Sequence, residues 1–145
     1  MRFLLAFTCA LAGAFANAAE PAPDAQRLPL KQAFDGAMTC AALAAIKSDA
    51  ALGDEQKIWG NRSFAFGMFA AQVYYNLTQK PLSGEELGQA VNQYADGLAV
   101  MVEEELEPFE QGCSAKYEFA DELCLQNACP YPEVVEAAPA APTAE

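Results

Sequence analysis

Histidine is absent from this 145-residue chain, and its absence removes several chemistries at once. Ser-His-Asp and Cys-His nucleophilic centres and HExxH metal sites all need an imidazole. Carboxylate chemistry is what remains for an enzyme, since two acids flanking a bond suffice for glycoside hydrolysis, and no such pair singles itself out here. Basic residues are scarce too: 8 Lys and Arg stand against 20 Asp and Glu, a formal net charge of -12. Nucleic acids and anionic membrane surfaces are held by Lys and Arg clusters, so neither is an expected partner, whereas basic proteins, cations and neutral ligands are compatible. No stretch approaches the roughly 20 apolar residues of a membrane-spanning helix. Alternating apolar and polar runs are missing as well, as are hairpin dipeptides between β-branched segments, so strands are not expected.

What is present begins with an address. Arg2 precedes an apolar run from Phe3 to Phe15, and Ala16-Asn17-Ala18 closes it as a small-x-small cleavage site. Residues 1–18 therefore read as a secretory signal peptide, which implies an exported chain, periplasmic or secreted. Cys9 follows Thr8 inside the run, not a small residue at its end, so no lipid anchor is expected and Cys9 leaves with the peptide. Cleavage takes away Arg2 and no acid, shifting the charge from -12 to -13. About 127 residues remain, enough for one domain with a single modest core. Of the five cysteines, Cys40, Cys113, Cys124 and Cys129 stay, and an oxidising compartment makes two disulfides the default. Without histidine, and with a lone C-x4-C from Cys124 to Cys129, zinc has no ligand set; neither a metal nor a cofactor is expected.

Residues 19–27 and 133–145 are rich in Ala, Pro and Glu, with almost nothing to bury, and read as a disordered linker and a disordered tail. Between them, residues 28–132 read as a helical domain. A first helix is expected from Pro29 to about Ser48, its stripe built of Leu30, Ala33, Phe34, Ala37, Ala41, Ala44 and Ala45. A second starts at Asp54 and ends near Thr78. Its core face carries Ile58, Trp59, Arg62, Ala65, Phe66, Phe69, Ala70, Val73 and Leu77. Ser83-Gly84-Glu85-Glu86 is a capping box flanked by Leu82 and Leu87, so a third helix starts there; Pro108 is expected to stop it near Glu107. That would leave Glu103, Glu104, Glu105 and Glu107 against the negative end of the helix dipole, which is locally unfavourable. Such a run is either a solvated helix end or a site for a cation or basic partner, although no EF-hand spacing points to calcium. A short fourth helix, about Ser114 to Gln126, completes an all-α fold: a small disulfide-bonded bundle of three long helices plus a short C-terminal one.

Three constellations follow from this arrangement. Four cysteines allow three pairings. If the fourth helix ends before Cys129, a local Cys124–Cys129 bridge leaves Cys40 to join Cys113, and one helix between Cys113 and Cys124 would hold that pair about 16 Å apart. Arg62 lies in the middle of the second helix's apolar face and needs a partner; an antiparallel third helix offers Glu105, or Glu103 or Asp96 in a shifted register. The alternative is a surface arginine with a packed stem. Phe64, Met68, Ala71 and Tyr75 form a second stripe, pointing away from the third helix. The alanine face of the first helix would cover it; uncovered, it is a partner surface or a homodimer seam. Asn61-Arg62-Ser63 and Asn76-Leu77-Thr78 match the N-glycosylation pattern, but both fall inside a helix, where chance explains them.

A small exported helical bundle pinned by disulfides resembles two groups in architecture: the periplasmic acid-stress chaperones of the HdeA type, and the Tai-type immunity proteins that neutralise secreted bacterial toxins. The likeness implies a binding role and carries over no functional residue. The expected function is that of an exported, non-enzymatic helical protein acting by binding, with a protein partner, chaperone-like or immunity- or inhibitor-like. A small structural envelope protein and a carboxylate-based hydrolase are the alternatives.

Overall fold

Ser83 starts the best-defined helix of the chain. Its Oγ accepts from the Glu86 backbone N–H at 3.2 Å while the Glu86 carboxylate accepts from the Ser83 N–H at 2.8 Å. The Ser83 N–H foremost, and then the Ser83 hydroxyl donating to the same carboxylate at 2.8 Å, hold the Glu86 carboxyl below its usual pKa. The computed structural model describes residues 24–126 and 129–135, so the leader expected over residues 1–18 and most of the expected tail lie outside the described residues. The described residues form five helices, α1 (Asp24–Ala50), α2 (Gly53–Thr78), α3 (Gly84–Ala99), α4 (Glu103–Ser114) and α5 (Tyr117–Gln126), followed by a 3-10 turn at Pro132–Val134. The fold is an all-α bundle, and the described residues include no strand. Two cysteine pairs tie it together. Cys40–Cys113 joins α1 to α4, and Cys124–Cys129 joins the end of α5 to the segment that follows, each with Cα atoms 5.3 Å apart.

Three boundaries differ from those read off the sequence. Helix α1 begins at Asp24, not Pro29, so part of the expected linker is helical. Ala25 to Leu28 contains no helix breaker. Pro29, inside the helix, forfeits only one backbone bond. The long third helix is two helices. It stops at Ala99, the chain passes through Val100, Met101 and Val102, and α4 starts at Glu103 with Pro108 inside it. The break resolves the electrostatic conflict of an acidic C-terminus, because Glu103, Glu104 and Glu105 now occupy the first turn of α4, where the dipole favours carboxylates. The Glu105 carboxylate also accepts from the Val102 N–H at 3.4 Å. Finally, the short last helix starts at Tyr117, after α4 and a turn at Ala115-Lys116.

Helix α1 is the spine of the bundle. Ala37, Met38 and Cys40 to Ala44 are buried, and the alanines among them let two helices approach closely. On one side lies α2, whose Phe66, Ala70 and Val73 are buried and whose Ser63 hydroxyl donates to the Ala41 carbonyl at 2.9 Å. On the other side lies α3, with Leu98 buried. The expected broad α2–α3 contact is replaced by a narrow one at Gly67, where Leu87 comes within 3.5 Å of where a Cβ would stand. Helix α5 instead takes the vacant flank of α2.

The α1–α3 seam contains a half-buried polar link, the Tyr94 hydroxyl donating to Asp35 Oδ1 at 2.7 Å. Burial, then this bond to a carboxylate, pushes the Tyr94 pKa up to about 12 from an ordinary 10.0. The neutral phenol is favoured in the folded state, so its contribution is intact below the unfolded pKa and is lost as pH rises towards 12. Tyr94→Phe is expected to cost about 1 kcal/mol at neutral pH. It should also flatten the fall in stability above pH 10 seen by urea denaturation across an alkaline series. An unchanged alkaline slope would count against this assignment.

Candidate binding surfaces

Arg62 does not meet Glu105. Its Nε and Nη2 donate to the two carboxylate oxygens of Asp121 on α5, at 3.0 and 2.8 Å. The guanidinium lies 5.0 Å from the ring centre of Trp59 and 4.6 Å from that of Tyr117. These two side chains are 15% and 16% exposed, so the pair is largely buried. The register that favoured Glu105 assumed that α2 faces a continuous third helix; α5 holds that position, and Glu105 caps α4 instead. Lys47 extends the cluster, its Nζ 4.9 Å from the Trp59 ring centre and 3.1 Å from Glu110. The whole arrangement joins α1, α2, α4 and α5 and reads as a structural clamp.

Asn61 is the one buried polar residue among those described. Its amide is engaged at both ends, donating to the Tyr131 carbonyl at 2.7 Å and accepting from the Tyr131 N–H at 3.0 Å. It is therefore a backbone latch for the segment after Cys129, and its glycosylation pattern is coincidental. The Tyr131 ring lies 3.1 Å from where a Cβ on Gly60 would stand, so Gly60 makes room for it. Lys57 secures the same segment from the surface, 3.3 Å from Glu133 and 3.4 Å from Asp54. Hydrogen bonds to Glu133 and then Asp54 raise its pKa. Glu133 is lowered, first by its own backbone N–H and then by Lys57.

The second α2 stripe is split. Phe64 packs partly buried against the main core and Ala71 is half-buried, while Met68 and Tyr75 are exposed. Helix α1 does not cover this stripe; it takes the Ser63–Phe66–Ala70 side. A further group of exposed apolar side chains lies elsewhere, at the break between α3 and α4. Val100, Met101 and Val102 are 84%, 37% and 57% exposed, and Phe109 on α4 adds 41%. Met101 and Phe109 line a groove of about 410 Å³ whose floor includes Tyr94, Gly97 and Leu98. Glu103, Glu104, Glu107 and Glu110 border a separate shallow depression on α4. At helical spacing they occupy a different flank from Phe109.

Sequence reasoning ran the third helix through Met101 and Val102 to about Glu107. The signal for a break was there: an acidic run that a helix start would stabilise and a helix end would not. Among the described residues, no group of three or more Cys, Asp or Glu side chains is arranged to hold a metal ion. Compared with known proteins, the chain matches no family, no curated protein and no solved structure.

Proposed function

We propose that this chain is an exported, non-enzymatic helical module that acts by binding a protein, in the manner of a chaperone or an immunity or inhibitor protein. Two cysteine pairs at bonding distance are compatible with an oxidising compartment, and no helix among the described residues is long and apolar enough to cross a membrane. Export itself rests on the leader-like residues 1–18. The observation that carries the binding reading is the exposed apolar elbow, Val100-Met101-Val102 with Phe109, opening on a groove. Clustered exposed apolar side chains are a feature of interaction sites. The glutamate stripe of α4 favours a basic partner, acting on encounter rate more than on affinity.

The test is paired affinity capture from the native envelope, with the parent protein and a Met101→Glu/Phe109→Glu variant as baits. Both side chains are exposed, so the variant should keep its fold and lose the partner, and raised salt should slow capture by the parent. If both baits retain the same proteins, the elbow is not the binding surface. Met68→Glu/Tyr75→Glu serves as the control for the α2 stripe and is expected to leave capture intact.

A further inference from the structure

Apart from the elbow, α1, α2 and α5 border a second groove of about 360 Å³. Its α1 wall is made of small residues, Ala33, Gly36 and Ala37, and its floor is Phe66 and Phe69. Phe119 of α5 closes the far side; its ring meets Phe69 edge-on at 5.5 Å and remains 45% exposed. The volume falls in the lower part of the roughly 300–1,000 Å³ range typical of small-molecule sites.

The charge on this groove is the unexpected feature. Acids outnumber bases 20 to 8 in the chain, and a four-glutamate depression lies on α4, yet no carboxylate lines this groove and its one charged residue is Lys116. Lys116 has no ion-pair partner among the described residues, whereas Lys47, Lys57 and Arg62 are all paired. Its backbone is fixed in the α4–α5 turn, the N–H donating to the Cys113 carbonyl at 2.9 Å and the carbonyl accepting from the Ala120 N–H at 3.0 Å. Gln32 adds a neutral donor to the lining. An apolar, aromatic-floored groove with one available cation and one amide complements a molecule with a hydrocarbon body and a single anionic head.

We propose that this groove binds a medium-chain amphiphile with a carboxylate head, its chain along Phe66, Phe69 and Phe119 and its head at Lys116 and Gln32. This site is separate from the elbow and takes a different class of ligand.

The experiment is calorimetric titration of the purified protein with decanoate, decanol and decyltrimethylammonium, each below its micelle concentration. Decanoate should bind about three- to fivefold tighter than decanol, as expected for one exposed ion pair, and the cationic amphiphile should bind weakest. Lys116→Gln should bring decanoate down to the decanol level and leave decanol unchanged. Gly36→Leu fills the groove from a position where an added Cβ meets nothing within 4 Å, so it should abolish binding of all three while far-UV circular dichroism stays native. Equal affinity for decanoate and decanol, or an unaltered Lys116→Gln variant, would overturn the proposal. So would binding to vesicles of anionic phospholipid without binding to monomeric decanoate, or capture of an acidic peptide in place of the amphiphile.

Discussion

Replacing Cys40 and Cys113 together by alanine is expected to lower the free energy of unfolding by about 4 kcal/mol, against about 2 kcal/mol for the Cys124/Cys129 pair. The difference follows from chain entropy. The first bridge closes a sequence separation of 73 residues and the second only 5, so the first denies the unfolded chain far more conformations. Both cysteines of the long bridge are buried against α1's alanine face, which adds a small packing loss on truncation. For a domain of this size, whose total stability is on the order of 5–15 kcal/mol, the long bridge separates a secure fold from a marginal one. Urea denaturation of the two double variants measures both losses. Equal losses would show that the long loop is already constrained in the unfolded state.

Arg62→Ala should destabilise the protein by about 3 kcal/mol or more, because it leaves the Asp121 carboxylate largely buried without its bidentate partner. It also removes the cation that sits against both the Trp59 and the Tyr117 ring, a contribution of about 1 kcal/mol when partly desolvated. Arg62→Lys is the sharper variant. It keeps the charge but not the planar fork that meets both carboxylate oxygens, so a cost of about 1–2 kcal/mol is expected, where a merely electrostatic role would predict almost none. A double-mutant cycle with Asp121→Ala separates the pair from the stack: the coupling energy reports the ion pair, and what Arg62 loses beyond it reports the aromatic contacts. An Arg62→Ala protein as stable as its parent would refute burial of the pair.

These two cases also show where local sequence was a sufficient guide. The Ser83–Glu86 capping box placed the start of α3, because a cap is satisfied within four residues and needs no neighbour. The end of α2 at Thr78, before Lys80-Pro81, was legible for the same reason. The need of Arg62 for a partner was legible too, since a cation on an apolar face is a local conflict. The identity of that partner was not, because it depends on which helix reaches that face.

By itself, then, the sequence determined an all-α chain and the starts of α2 and α3, because capping, periodicity and the absence of strand patterns act over a few residues. The tertiary structure decided that α1 lies between α2 and α3, that the acidic run opens a helix at Glu103, that Asp121 meets Arg62, and that Lys116 faces an apolar groove. Each of these depends on contacts between residues far apart in the chain. A stripe of small alanines accepts neighbours on more than one side, and only the packing of all five helices together selects among them.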